Sequence, residues 1–415
     1  MSGTRVLFIS GSIGLGHIQR DLAIANALRQ LNPELQIRWI AADPASRVLE
    51  RAGESLVPAA KSYAANSQAA EAAAHGMELN IWRYLIESRG DWLHNVKVFR
   101  RALVDETFDL VIGDETYEIF IALDFERSRK PTPMVAIYDF VGVEAMTRSP
   151  SEHMGMYAVN AFWSHIASKP SRLMLFIGEL LDIPDRPFGP LLPSRRAYAQ
   201  EHLHPVGYVL PFDPKEYADR IAVRSRLGYG SQPLIIGAIG GTAIGRELLE
   251  LWGQSYPMVA ERLPDVRFRL VTGPRLDPTS LRVPPGVEVA GYVPDLFEHL
   301  AASDLALVEG GGTVTLELTA LRRPFLFFPR YGDFEQEHMV AERVFRHGAG
   351  KRVRFIDATP AAVADMILAY VGKEADWPHI KTDGAAVAAR LITERFLTGK
   401  ELAAPGERIA AHLPV

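Results

Sequence analysis

Two successive α/β domains with parallel sheets are what this sequence predicts, and three observations predict them. Short apolar runs alternate with amphipathic helical stretches along most of the chain, the pattern of βαβ units. A glycine-rich turn follows the first apolar run of each half, at Gly11–Gly16 and at Gly240–Gly245. Between the halves a Pro-rich extended segment, Pro205–Pro214, breaks the alternation. With 415 residues the chain is long enough to bury more than one core.

In the first half the spacing predicts strands at Val6–Ser10, Ile37–Ala41, Leu110–Gly113, Met134–Tyr138 and Met174–Phe176, with a helix over Asp21–Leu31. Tyr63–Leu103 reads as mostly helical. Its apolar stretch Met77–Leu93 is too rich for a solvated helix, and reads either as core or as a surface that meets lipid or an apolar acceptor. The second half gives strands at Leu234–Ala238, Arg267–Thr272, Val287–Ala290, Leu305–Val308 and Phe325–Phe328. Helices are expected at Arg246–Leu263, after Thr313, at Glu337–Phe345 and at Ala361–Val371. The expected division is 1–205, a linker at 206–214, 215–380, and a C-terminal helix (Ala385–Leu397) and tail over 381–415, with a return to the first domain as one arrangement.

Composition narrows the function. The absence of cysteine excludes disulfides, thiol catalysis and cysteine-ligated zinc, and fits a cytoplasmic protein. A net charge of −5 makes no electrostatic case for nucleic acid. No apolar run reaches the ~18 residues of a membrane span, and Met1–Arg5 leads directly into a strand rather than forming a signal peptide. HExxH, P-loop, EF-hand, GxSxG and DxD patterns are all missing, so no metal site and no resident cofactor are expected.

The most informative stretch is Val308–Glu317, where an apolar run ends in Gly310, Gly311 and Gly312 and a helix begins. Glycines allow close approach to a ligand and left-handed backbone. Thr313 is expected to cap the helix, whose free N–H groups and dipole suit a diphosphate. Glu317, one turn on, is in reach of a sugar hydroxyl beside it. Gly240, Gly241 and Thr242 offer a second nest of amides, or a plain tight turn. Glu335 and Gln336 follow Phe325–Phe328 and would sit at the same sheet edge, although charged residues there are commonly solvated loop.

In the first half, Gly14, Gly16 and His17 lie in a GxxGxG turn, which is not the GxGxxG dinucleotide fingerprint. His17 is placed at a helix start beyond a parallel strand, where ligands bind, though a structural histidine is an even alternative. Asp114 ends the run Asp109–Gly113; it could orient His17 as a base or cap the next helix. Arg20, Arg246, Arg275 and Arg330 could serve phosphates, with surface solvation the default.

Together these residues resemble the GT-B glycosyltransferases, two Rossmann-like domains facing across a central cleft, in the branch of the peptidoglycan N-acetylglucosaminyltransferase MurG (glycosyltransferase family 28). The likeness covers about Gly237–Gly350: Gly240-Gly241-Thr242, Gly291–Leu296, Ala302–Leu305, Glu309–Thr313, Glu317–Ala320, Arg323-Pro324 and Phe334-Glu335-Gln336. Gly14-Leu15-Gly16-His17 looks like the family's acceptor-side loop, with Arg20 beside it. The resemblance implies that 1–205 is the acceptor side and 215–380 the donor side. Glu317 would bind ribose hydroxyls, the glycine turns would face the diphosphate, and Glu335 and Gln336 would lie near the donor sugar. Arg323 and Met339 depart from the family pattern, which leaves the donor sugar open.

The implied activity is an inverting, metal-independent transfer of a hexosyl or N-acetylhexosaminyl group from a nucleotide-diphosphate sugar, expected to be UDP-linked. The acceptor hydroxyl would belong to a lipid-linked or small molecule, met in the cytoplasm or at the inner face of the membrane. His17 would be the base and Asp114 its orienter, a pairing also found in plant-type glycosyltransferases of this fold. Water as acceptor would instead give a nucleotide-sugar hydrolase, or the site an epimerase, and the Gly-x-Gly-His-x-x-Arg form also resembles the hydrolase of pseudaminic acid synthesis. A non-catalytic nucleotide-sugar-binding protein is the third reading.

Overall fold

Six parallel strands build the sheet of one compact unit, and six more build the sheet of a second. The computed structural model describes residues 3–11, 15–124, 132–166, 171–399 and 402. The first unit takes Met1–Ala69, Trp82–Pro211 and Lys381–Val415; the second takes Ala70–Ile81 and Phe212–Ile380.

In chain order the strands are β1 (Arg5–Ile9), β2 (Gln36–Ile40), β3 (Ala74–His75), β4 (Glu78–Leu79), β5 (Leu110–Asp114), β6 (Met134–Tyr138), β7 (Arg172–Ile177) and β8 (His204–Gly207). The second unit continues with β9 (Leu234–Ala238), β10 (Arg267–Val271), β11 (Val287–Ala290), β12 (Leu305–Glu309), β13 (Phe325–Phe328) and β14 (Lys351–Arg352). The first sheet runs β2-β1-β5-β6-β7-β8 and the second β11-β10-β9-β12-β13-β14.

Period-two alternation explains why these strands are apolar throughout. Val6 and Phe8 enter one core layer while Leu7 and Ile9 enter the layer on the opposite face. Phe8 stacks on Trp39 of the neighbouring β2 at 4.5 Å. The helix Gly16–Leu31 lays Ile18, Ile24, Ala25 and Leu28 on the first layer, beside Ala388, Leu391 and Ile392 of the helix Gly384–Ile392. It begins ahead of the expected Asp21, because its first turn carries Ile18 as a lone apolar residue among Gly16, His17, Gln19 and Arg20.

Each sheet has one point where the strand order reverses, between β1 and β5 and between β9 and β12. In doubly wound sheets the crevice beyond the carboxyl ends of such strands is where ligands bind. His17, Arg20, Asp114, Gly240–Thr242, Gly310–Thr313 and Glu317 all lie at the end of one of these four strands or in the segment that follows it, whereas Arg275 follows β10 and Arg330, Glu335 and Gln336 follow β13.

Two stretches are less uniform than their composition suggests. His204–Gly207, at the head of the Pro-rich segment, is the edge strand β8. Within the stretch read as mostly helical, the helices Ser67–Ala73, Ile81–Glu87 and Arg89–Asp105 are interrupted by the hairpin β3–β4, which turns at Gly76. This hairpin belongs to the second unit: Tyr331 donates its N–H to Met77 O and accepts one from Leu79, both at 2.9 Å. Met77 enters the core with Ile239, Leu248 and Trp252. The apolar stretch is thus divided, with Met77 and Leu79 buried but Ile86 and Leu93 42% and 68% exposed. Among the described residues no helix is long and apolar enough to cross a membrane.

Candidate active site

In the first unit His17 lies in the opening turn of its helix and Asp114 closes β5. The neighbouring ends of β1 and β5 bring His17 Nδ1 to 2.9 Å from Asp114 Oδ2. Gly11 makes room for the ring, since a Cβ there would stand 3.1 Å from His17 Cγ and 3.3 Å from the Asp114 carbonyl oxygen. Gly16 opens the helix; Gly14 lies outside the described residues.

Arg20, one turn after His17, is buried rather than solvated. It donates through Nε to Asp114 Oδ2 at 2.9 Å, through Nη2 to Asp114 Oδ1 at 2.6 Å, and through Nη1 to Asp139 Oδ2 at 2.6 Å. Its Nη2 is also 2.8 Å from His17 Nδ1. Arginine can only donate, so the contacts at Nδ1 correspond to opposite tautomers. The ionised carboxylate is the stronger acceptor and Nη2 is already engaged with Oδ1, which assigns a proton to Nδ1 and makes Nε2 the acceptor nitrogen of the neutral ring.

Three further carboxyls surround this pair. Burial pushes Asp114 up, but Arg20 and His17 outweigh it and hold the group below its ordinary range. Asp139 follows the same course: burial raises it, and Arg20 and the bond with Glu115 bring it down. Asp21 and Glu115 go the other way, raised well above ordinary carboxyls by burial and then by the charge of Asp114 and Asp139 respectively. Each depressed carboxyl therefore has a raised one beside it. Glu115 Oε2 is 3.7 Å from His17 Nε2 and its backbone is left-handed, with φ 49°. Ligand atoms of His17, Glu115 and Asp139 lie within 4.8 Å of one another. Arg20 already pairs with Asp139, and burial together with the charge of Asp139 raises the Glu115 carboxyl, which weakens both as ligands for a cation.

The sequence pattern does not single out Asp21, Glu115 or Asp139. Asp139 is within reach of the rule that finds Asp114, since it follows the apolar strand β6. The other two depend on which carboxyls meet in space.

In the second unit, Gly240 N–H donates to Glu309 Oε2 at 3.3 Å, joining the loop after β9 to the end of β12. Glu309 pairs with Arg330 at 2.6 Å, and Arg330 with Asp333 at 3.3 Å. Gly241 is half-buried and Thr242 is buried in the same loop. The expectation for Thr313 needs correction: the helix Gly312–Leu321 is capped by Gly311 with no side-chain bond, and Thr313 sits inside its first turn. The N–H groups of Gly312, Thr313 and Val314 precede the first intrahelical bond, from Thr315 N–H to Gly311 O, and so have no helical acceptor. None of the three glycines is left-handed. Gly310 is needed for space, because a Cβ would stand 2.7 Å from Pro329 Cα.

Glu317 is buried at the next turn, and burial raises its carboxyl to about 8. Gln336 faces the main chain, its Oε1 accepting from Arg330 N–H at 3.0 Å, while the N–H groups of Glu335 and Gln336 donate to Asp333 Oδ1 at 3.1 and 3.3 Å. Arg323 ties the main chain together by donating to the carbonyls of Ala301, Leu321 and Tyr217. Arg246 donates through Nη1 to the carbonyl and the hydroxyl of Ser280, both at 2.9 Å.

No family model matches the chain. A 194-residue stretch is 28% identical to an uncharacterized glycosyltransferase of Methanopyrus kandleri, over 45% of this chain and 53% of that protein. A 157-residue stretch is 28% identical to the UDP-N-acetylglucosamine–N-acetylmuramyl-(pentapeptide) pyrophosphoryl-undecaprenol N-acetylglucosamine transferase of Carboxydothermus hydrogenoformans, over 36% of this chain and 42% of that one. The chain thus spans about half the length, or less, of these curated relatives. Among solved structures, the glycotransferase of kitacinnamycin has a TM-score of 0.58 at 16% identity, covering 99% of this chain and 98% of that one. The spinosyn rhamnosyltransferase complexed with thymidine diphosphate has a TM-score of 0.54 at 17% identity, covering 98% and 99%. The likeness to these structures shows the fold, the two Rossmann-like units of the GT-B type.

Proposed function

We propose that this GT-B chain is a glycosyltransferase that uses His17 as its base, inverts the anomeric carbon and needs no metal. The observation that carries the reading is the oriented pair of His17 and Asp114 at the reversal point of the first sheet, with Nδ1 held and Nε2 left to accept a proton. The donor is a nucleotide-diphosphate sugar, UDP-linked, as the name of the Carboxydothermus relative says of that protein. A fold neighbour solved with thymidine diphosphate supports the diphosphate part of this reading.

In the reaction, Nε2 takes the proton of an acceptor hydroxyl as its oxygen forms the new bond to the anomeric carbon. The bond from that carbon to the diphosphate breaks on the opposite face, and the electron pair leaves with the phosphate. Amides of Gly312–Val314 and of the Gly240–Thr242 loop stabilise the departing charge, as a metal does elsewhere. Glu317 meets the ribose hydroxyls. The first unit's charges favour the step: Asp114 and Asp139 against Arg20 leave one net negative charge, which an imidazolium at His17 balances.

The exposed apolar residues Ile86 and Leu93 support an apolar or lipid-linked acceptor, met by a cytoplasmic protein at the membrane's inner face. The test is incubation of the purified protein with UDP, TDP and GDP sugars, with and without lipid-linked and small acceptors. Acceptor-dependent release of nucleoside diphosphate is expected. Rapid release of free sugar without acceptor would make it a hydrolase, and tight donor binding without turnover on any acceptor would make it a binding protein.

A further inference from the structure

The arm at 70–81 places a carboxylate in the second unit where an anion-binding loop is expected. Glu71, in the helix Ser67–Ala73 that precedes the hairpin, accepts three hydrogen bonds. Arg275 donates from Nε to Oε1 at 2.6 Å and from Nη2 to Oε2 at 2.8 Å, and the Ala243 N–H donates to Oε1 at 2.9 Å. Ala243 belongs to the glycine loop after β9, and Arg275 to the segment after the adjacent β10. A guanidinium fork plus a loop amide at the carboxyl edge of a parallel sheet is the chemistry that binds a phosphate. Burial raises the Glu71 carboxyl, but Arg275 and the amide outweigh it and keep the group ionised.

We propose that Glu71 occupies the place of a donor phosphate, and that Arg275 exchanges Glu71 for that phosphate when the nucleotide diphosphate binds. Arg275 is then a phosphate ligand held ready by a resident anion. This rests on reading the second unit as the donor site. Two features make the exchange feasible. Side-chain exposure of 25% and 22% leaves the pair open to solvent and weakens it. The arm is fixed independently by Met77 in the core and by the main-chain bonds to Tyr331, so Glu71 can let go while the hairpin stays. A site occupied by its own carboxylate shows an apparent dissociation constant raised by the inverse of its free fraction, so removing the carboxylate charge tightens binding.

The test is calorimetric titration of the full chain, as parent, Glu71→Gln and Arg275→Ala, with UDP and separately with inorganic pyrophosphate. Thermal melts of each protein establish that it is folded. Glu71→Gln is expected to bind both ligands about threefold to tenfold more tightly, and Arg275→Ala about tenfold more weakly. Hydrogen exchange of the parent should rise in Ser67–Ala73 when UDP is added, with the Leu79 amide still protected. Equal or weaker binding of both ligands by Glu71→Gln overturns the proposal while UDP binding by the parent upholds the donor site. Pyrophosphate that binds more tightly to Glu71→Gln, with no UDP bound by any of the three proteins, upholds the resident anion and removes the nucleotide reading.

Discussion

Arg20 grips Asp114 at two points, Nε to Oδ2 at 2.9 Å and Nη2 to Oδ1 at 2.6 Å, and the same Oδ2 meets His17 Nδ1 at 2.9 Å. A carboxylate fixed by a guanidinium fork cannot rotate away from the imidazole it orients. His17→Ala should therefore lower turnover by roughly 10²-fold or more, the scale of losing a general base, with UDP-sugar affinity nearly unchanged. Asp114→Asn should lower turnover at similar substrate binding, because an amide can present its NH2 to Nδ1 and favour the other tautomer. Steady-state kinetics check both; near-normal turnover in His17→Ala would remove the base assignment.

Removing the guanidinium strands two buried carboxylates. Arg20→Met is expected to destabilise the fold by about 3 kcal/mol or more, read by chemical denaturation. The sign of the pH dependence is fixed by the depressed carboxyls. Asp114 and Asp139 sit below their ordinary 3.8, so the stability they contribute is complete above that value and is lost as pH falls through their folded values. Arg20→Met should flatten the acid limb of the stability curve; an unchanged acid limb would show that the pairing does not set it.

Glu115 stands 3.7 Å from His17 Nε2 with its carboxyl raised well above the ordinary range by burial and by Asp139, so a neutral amide should replace it. Glu115→Gln is expected to keep activity within about threefold of the parent, and Glu115→Ala to lose about tenfold. If Glu115→Gln loses as much as Glu115→Ala, the group acts as a carboxylate and not as an acid.

Glu317 gives an opposite pH signature. The unfolded chain ionises it near 4.5, whereas the folded chain keeps it protonated to about 8. Stability should therefore decline as pH rises through that window and level off above it, by an amount on the order of a few kcal/mol. In Glu317→Gln that decline disappears. Thermal melts from about pH 5 to about pH 9 read the difference, and parallel slopes for the two proteins would contradict the buried neutral carboxyl.

Gly310→Ala brings a methyl group against Pro329 in the turn that leads to the Gly312–Leu321 helix. A loss of about 1–3 kcal/mol in stability and weaker UDP binding are expected. Unchanged UDP affinity in a folded Gly310→Ala would place the phosphate elsewhere.

The sheets are legible in the sequence because parallel strands covered on both faces must be continuous apolar runs, and Met134–Tyr138, Leu234–Ala238 and Phe325–Phe328 are bounded as their composition predicts. His17 and Asp114 are legible by the same logic, since each follows such a run at the carboxyl end where ligands bind. The β3–β4 hairpin is not, because two-residue strands hold too few residues to show alternation and their partner is Tyr331, far along the chain. Nor are the raised carboxyls of Asp21 and Glu115, whose shifts depend on burial beside another carboxyl. Arg20 and Arg330 mislead in the other direction: an isolated arginine is ordinarily solvated, and only their acidic neighbours in the fold explain why Arg20 is buried and Arg330 half-buried.

The course of the chain between units bears on engineering. Because 70–81 belongs to the second unit while 1–69, 82–211 and 381–415 belong to the first, a single crossover near residue 211 does not exchange one unit for another. A hybrid built that way would receive a foreign hairpin against its own second unit, with an unmatched residue facing Arg275. Recombinants that move 70–81 together with 212–380 keep Met77, Tyr331, Glu71 and Arg275 from the same parent, and those are the hybrids that should fold and retain their donor preference.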